Sequence, residues 1–388
     1  MSIARNSSTF KRTVELRRTI HEHPELAFEE VETARVITEE LDRLGVDYEY
    51  GGKGTAVIGR LKGGPPGAPI VALRAEMDGL PVQEQTGLPF ASKKPGRMHA
   101  CAHDAHMAMV LGAAAEHVAN PPPGNVVYVF QPAEERGAGA KVVLESGALD
   151  DVDAIFAGHM THHYRVGEIM VTSGTVTAQS DAFRITVTGK GGHGARPHEA
   201  IDAVLIAGML ISSIQMLVSR ETDPVHPTVV TIGRVSAGTA PNVIAEDAML
   251  EGTIRTTLPE VRDHIHLGLT RLARAAADLH RAAVDVEIRR GYPPVVNAER
   301  EAEIALEAVR LIGPEARVVV QDYPSMGAED FGFLSRRIPA CYVRFGARMG
   351  EDTYIPLHSP KFDIDEDALW FGSAFLDRVA RVAIDRHA

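Results

Sequence analysis

The chain has 388 residues, too many for one ordinary hydrophobic core, so two domains are expected. Its composition, 45% hydrophobic and 24% charged, is that of a globular protein, and a net charge of -12 argues against nucleic acid and anionic membrane surfaces as partners. Two cysteines, Cys101 and Cys341, exclude a disulfide framework though not a single bridge. The N-terminal segment lacks an apolar leader, and no run of about 18 apolar residues is found. The expectation is therefore a cytoplasmic protein that spans no membrane, with Cys101 a free thiol or a metal ligand.

Two helices are expected from Thr9 to Leu44, split at His23-Pro24. In the second, Val31, Ala34, Ile37, Leu41 and Leu44 recur at helical spacing. Strands are expected at Thr55–Leu61, Pro69–Arg74, Asn125–Gln131 and Ala154–Ala157, with helices at Ala105–Val118 and Gly139–Ser146 between them. Apolar strands alternating with helices imply a largely parallel sheet covered on both faces. Near Ala178 the pattern changes. Strands at Asp181–Thr188, Thr228–Val235, Ala248–Thr256 and Val284–Arg290 enclose helices at Ile201–Val218 and Pro259–Arg281. That order is the split βαβ pattern, a four-stranded sheet with helices on one face. The first pattern then resumes with a helix at Glu301–Ile312, a strand at Ala340–Phe345 and a helix at Glu366–Ala383. The fold class expected is α/β: a mainly parallel-sheet domain formed by residues 1–177 and 291–388, carrying an inserted α+β (βαββαβ, ferredoxin-like) domain at 178–290.

In an open α/β sheet, ligands sit beyond the carboxyl ends of the strands. Glu76 and Asp78 follow the PIVALR strand, Glu134 and Glu135 follow NVVYVFQ, and His159 follows AIFA. Cys101 and His103 open the Ala105 helix; two apart in an extended segment, they would point the same way. Thiolate and imidazole together favour a borderline-soft metal such as zinc, with manganese, cobalt or nickel open. A buried Cys beside a helix-capping His is the plain alternative. Adjacent carboxylates diverge, so one of Glu134 and Glu135 can bind metal while the other faces water; an exposed acidic loop is the alternative. His162 and His163 follow His159 closely, and His358 lies in a Pro-flanked turn. The glycine-rich Gly189–Gly194 lacks the Gly-Lys-Ser/Thr ending of a phosphate loop, so a glycine-held His193 reaching a reacting carbonyl is the better reading.

These residues, in order, resemble the M20 metallopeptidase/amidohydrolase family, closest to the branch of hippurate hydrolases, N-acyl-amino-acid amidohydrolases and hydrolases of auxin–amino acid conjugates. The segments that carry the resemblance include His21-Glu22-His23-Pro24-Glu25-Leu26, Glu76-Met77-Asp78-Gly79-Leu80-Pro81, His99-Ala100-Cys101-Ala102-His103-Asp104, Gln131-Pro132-Ala133-Glu134-Glu135, Gly192-His193-Gly194-Ala195-Arg196-Pro197, Met326-Gly327-Ala328-Glu329-Asp330-Phe331 and Leu357-His358-Ser359-Pro360. The resemblance implies a metal-dependent hydrolase of the amide bond of a small N-acyl amino acid or related conjugate. Cys101, His103, Glu135, His159 and His358 would ligate two divalent ions (Mn2+ or Zn2+, alternatively Co2+ or Ni2+). Glu134 would be the general base and Asp78 would orient a ligand. His193, Asn242 and Arg255 would contact substrate, Arg255 as a carboxylate clamp, and the inserted domain would make a homodimer or tetramer.

Three departures from the family pattern stand out: Glu76 where Asp is usual, Ala102 where Gly is usual, and Thr161-His162-His163 where an apolar residue, Trp and Pro usually follow the His. The last should line the pocket, with His162 and His163 as substrate contacts. Alternative readings are a dipeptidase or aryl-amine hydrolase of the same fold, a silent binding homologue, and a cysteine hydrolase using Cys101.

Overall fold

The protein is described by a computed structural model that covers every residue except 1–4, 6, 53, 351 and 352. The chain forms two compact units, one of Met1–Val176, Val295–Tyr323 and Asp330–Ala388, the other of Thr177–Pro294 with Pro324–Glu329.

The first unit opens with helices Ser8–His21 and Val31–Leu44. Ser7 caps the first by accepting from Phe10 N–H at 3.1 Å, and left-handed Gly45 closes the second. Its eight-stranded sheet runs in the order Asp47–Gly51, Ala56–Lys62, Asn125–Gln131, Ile70–Glu76, Ala154–Arg165, Ala340–Arg348, Glu168–Met170, Arg317–Val319. The four central strands from Asn125–Gln131 to Ala340–Arg348 are mutually parallel. Antiparallel pairings confine themselves to the flanks. The central strands are buried on both faces, as a parallel sheet requires. One face packs on helices His103–Ala119, Glu299–Ile312 and Asp367–His387, the other on the shorter Gly139–Glu145 and Phe331–Ser335. The Asp47–Gly51 strand has no sequence signal, because an exposed edge strand needs no apolar run.

The second unit is a four-stranded antiparallel sheet, ordered Thr228–Ala237, Asp247–Thr256, Gln179–Thr188, Ala283–Arg290, with helices Ala203–Met216 and Pro259–His280 packed on it. This is the expected βαββαβ arrangement. Asp202 caps the first helix through Val204 and Leu205 N–H. Buried Arg262 pins the second helix to Asp181, which also accepts from His266 at 2.7 Å. Burial alone would raise the Asp181 pKa, but His266 and Arg262 hold it down at about 2. By length and composition, Ala203–Glu221 is long and apolar enough to cross a bilayer. Its Ile206, Leu210, Ile214 and Leu217 are nonetheless buried in the core of this unit.

Two local expectations need correction. The strand expected at Ala154–Ala157 continues to Arg165, so His159 lies within it rather than after it. The continued pairing with Ala340–Arg348 carries the polar residues along. Cys101 and His103 do not share an extended segment. Ala102 turns left-handed between them (φ 64°) and His103 is the first residue of its helix.

Candidate metal centre

The expected donors meet at the carboxyl ends of the central strands. Cys101 Sγ lies 3.3 Å from His159 Nε2 and 3.3 Å from His358 Nε2. His358 Nε2 is 3.2 Å from Glu135 Oε1. Donor atoms of Cys101, His103 and His159 lie within 4.8 Å of one another, as do those of Cys101, Glu135 and His358, and those of His103, Glu134 and Glu135. Donors about 2.0–2.3 Å from a tetrahedral ion stand roughly 3.5 Å apart, so this spacing suits shared ions.

The ring orientations fit the same purpose. His103 Nδ1 donates to the Asp78 carbonyl at 2.7 Å, which leaves its buried Nε2 with no hydrogen-bond partner. His159 Nδ1 donates to the Met160 carbonyl at 2.7 Å and turns Nε2 towards Cys101. A backbone acceptor on the far nitrogen is the usual device for fixing a ligating imidazole. An orphaned buried nitrogen beside a thiol and carboxylates is what a soft-to-borderline divalent ion would satisfy. Burial disfavours imidazolium at His103, yet Asp78, Glu76 and Glu135 push its pKa up to about 10. Burial, then Glu135 and Glu134, push the Cys101 thiol well up. Both effects express a negative pocket that favours a cation; a bound ion would reverse the thiol shift.

Asp78 holds the other half of the site. Its Oδ1 accepts from Glu134 N–H and its Oδ2 from Glu135 N–H, both at 3.0 Å. These are first-turn donors of the short Glu134–Gly137 helix, positions for which a helix supplies no acceptor of its own. Beneath the same turn, buried Glu30 accepts from Ala133 N–H at 2.9 Å and from Thr55 Oγ1 at 3.1 Å. Glu134 is itself buried, its Oε1 accepting from Asp330 N–H at 3.3 Å. Four of the six non-glycine residues with positive φ among the described residues, Ala102, Ala133, Ala138 and His358, flank these groups. Each costs on the order of 1–2 kcal/mol, strain of the kind that collects at functional sites.

His162 does not face a ligand, contrary to expectation. Its Nε2 donates to the Asp363 carbonyl at 2.7 Å and its Nδ1 accepts from Ile355 N–H at 3.0 Å. It is buried and turned inward by a bulge, where Thr161 pairs with Gly346 but Arg165 with Arg348. His163 is exposed, 3.5 Å from the Tyr354 hydroxyl. Glu76 bonds Arg74 and accepts from His106 Nδ1 at 2.8 Å. His106 Nε2 accepts from Met160 N–H at 2.9 Å, and its ring is 4.6 Å from that of His159. His106 escaped the sequence reading; its position three after His103, on the same helical face, was the available signal.

Within the second unit, His193 pairs with Val243, and Gly194 N–H donates to the Asn242 carbonyl at 2.9 Å. His193 Nδ1 accepts from Ala195 N–H at 3.0 Å. Arg255 lies at the far end of its sheet: Asp247 to Arg255 spans eight residues, roughly 26 Å at 3.3 Å per residue.

Residues 72–382 match the sequence profile of peptidase family M20/M25/M40. The chain is 40% identical over 367 residues to thermostable carboxypeptidase 1 of Saccharolobus solfataricus, covering 93% of this chain and 92% of that protein. It is 40% identical over 384 residues to the IAA-amino acid hydrolase ILR1-like 2 of Arabidopsis thaliana, covering 96% and 85%. Among solved structures, the YxeP protein of Bacillus subtilis, described as a dinuclear metal-binding peptidase of the M20 family, superposes with a TM-score of 0.85 at 36% identity, covering 97% and 99%.

Proposed function

The chain belongs to peptidase family M20/M25/M40, and from that membership we propose that it is a metal-dependent amidohydrolase acting on N-acyl amino acids or related small conjugates. The observation that carries the reading is the convergence of Cys101, His103, Glu135, His159 and His358, with Glu134 left over beside them. The two similar enzymes point the same way. A carboxypeptidase and an IAA-amino acid hydrolase both cut an amide whose amine part is an amino acid with a free carboxylate.

Two divalent ions held by those five residues, with manganese or zinc favoured by the mixed thiolate, imidazole and carboxylate set, would supply the Lewis acidity that activates water and polarises the amide carbonyl. Glu134 takes the proton of the attacking water and delivers it to the leaving amine. Asp78 acts through others, fixing the backbone of Glu134 and Glu135 by its carboxylate and the His103 ring by its carbonyl. Arg255 suits bidentate capture of the substrate carboxylate, and His193 with Asn242 suits the developing oxyanion.

His193 and Arg255 lie too far apart in one unit to touch one small substrate together. This supports a homodimer in which His193 serves the partner's centre. The outer face of helix Ala203–Met216 exposes Val204, Leu205 and Met216, and Thr228–Ala237 is a ten-residue edge strand. Both are surfaces a second copy would cover. Two buried, free cysteines suit a reducing, cytoplasmic setting.

The test is hydrolysis of a panel of N-acyl amino acids before and after chelation, with manganese, zinc, cobalt or nickel restored. Restoration by one metal, and its loss in Glu134→Gln with folding retained, supports the reading. Fully metallated protein that cleaves no member of the panel overturns it.

A further inference from the structure

Across the four central parallel strands, one transverse row of side chains lies at the carboxyl ends. Gln131 pairs with Glu76, and His159 pairs with Arg344; Arg74 pairs with Ala157, which sets Glu76 and His159 side by side two residues on. Ligands of an open α/β sheet occupy this edge. Three members of the row are fully engaged. Gln131 bonds Arg74 and Asp330, Glu76 bonds Arg74 and His106, and His159 faces Cys101.

Arg344 is the exception. It is half-buried, and among the described residues its side chain has no hydrogen-bond or ion-pair partner. That is unusual for this chain, where the buried guanidiniums Arg17, Arg74 and Arg262 each hold a carboxylate. A partly desolvated arginine without a counter-ion is costly unless something else supplies the charge. Asp322 and Glu168 lie near neighbouring Tyr164, yet neither pairs with Arg344. Arg344 lies close enough to His159, His163 and Tyr164 for its charge to act on each of them.

The bulge after Thr161 shapes the same spot. Arg348 secures it by donating to the His162 carbonyl at 2.8 Å and the His163 carbonyl at 2.7 Å. His162 is thereby turned in and His163 left out, its ring 5.3 Å from that of Tyr354. The guanidinium of Arg344 thus stands in register with His159, a proposed ligand of the reacting centre, while four residues further along, the same neighbouring strand carries the exposed His163 imidazole with the Tyr354 phenol beside it.

We propose that Arg344 binds a second carboxylate on the substrate, so that the preferred substrates are N-acyl amino acids carrying a carboxylate beyond the α-carboxylate. The proposal rests on the amidohydrolase reading above and narrows its substrate class. A guanidinium–carboxylate pair contributes about 1.5–3 kcal/mol when partly desolvated, or roughly 10–100-fold in specificity.

The experiment compares isosteric pairs that differ only in that charge: N-acetyl-L-glutamate against N-acetyl-L-glutamine, and N-succinyl-L-alanine against its succinamic acid monoamide. For each, kcat/KM is measured on the metallated enzyme, and Kd by calorimetry. The wild type should favour the charged member of at least one pair by 10-fold or more. Arg344→Met should erase that preference while leaving N-acetyl-L-alanine within about threefold, and Arg344→Lys should retain part of it. Which pair responds tells whether the carboxylate lies on the amine or the acyl side. Equal binding of both members in both pairs overturns the proposal, as does an Arg344→Met loss shared by N-acetyl-L-alanine. Binding without turnover would sink the amidohydrolase reading alone, because the charge preference is still read from Kd. Should Arg344→Met fail to fold, Arg344→Gln serves in its place.

Discussion

Replacing Arg17 by Met should destabilise the first unit more than most single changes. Arg17 is buried under the first helix, and its Nε donates to Asp104 at 2.9 Å. Its terminal nitrogens reach Asp363 at 2.8 Å and Glu366 at 3.3 Å. Asp104 is 1% exposed and has one further charge partner, His21 Nδ1 at 2.8 Å. Met keeps the apolar stem of the side chain but strands Asp104 with half its compensation. Removing one partner of a buried pair costs about 3–5 kcal/mol. At about 2–4 °C per kcal/mol, Tm should fall by roughly 6–20 °C. Because the pair is buried, 0.5 M salt should change the loss little. Paired urea and thermal melts of wild type, Arg17→Met, Asp104→Asn and the double variant form the assay. The double variant should be less destabilised than the sum of the singles, since neutral Asn needs no counter-ion. A loss below about 1 kcal/mol in Arg17→Met, or strict additivity, would refute the argument that charge compensation holds this contact together.

Asp78→Ala removes the acceptor of two amide donors, and should weaken metal affinity or activity by about 10–100-fold with little change in fold, as read by metal titration and circular dichroism. Burial holds the His117 pKa at about 4, below about 6.5 in the unfolded chain. The unfolded state therefore binds the extra proton, and stability falls as pH drops from 6.5 towards 4, by up to about 3 kcal/mol. His117→Gln should flatten that part of the urea-midpoint profile. His21 works in the opposite sense: despite burial, Asp104 and Glu84 raise its pKa to about 9. Its contribution is complete below pH 6.5 and lost as pH rises through 9, so His21→Gln should cost most stability at low pH. Ala102→Gly relieves a left-handed alanine and should gain about 0.5–1 kcal/mol in denaturant unfolding. At Gly139 a Cβ would overlap the Pro132 carbonyl oxygen, so Gly139→Ala should shift the Glu134 turn and lower kcat by tenfold or more.

Periodicity placed the long helices and buried strands from sequence, because burial of a face imposes its repeat on the residues that form it. The apolar strand NVVYVFQ and the helix starting near His103 illustrate it. Motif order was equally legible, since the candidate metal donors, the neighbouring Glu134 and the split βαβ insertion are local signatures. Tertiary structure decided what depends on neighbours. The Asp47–Gly51 edge strand exists only through its pairing with Ala56–Lys62. His162 and His163 look alike in sequence, yet a bulge set by register against Gly346 and Arg348 buries one and exposes the other. Asp78 serves by its backbone carbonyl as much as by its carboxylate, a distinction no residue type conveys. Arg344 was one charged residue in an apolar strand until parallel register set it beside His159, with no side-chain partner among the described residues. Side-chain chemistry is written in the chain, whereas a charge's compensation is a property of the space around it, which long-range pairing alone creates.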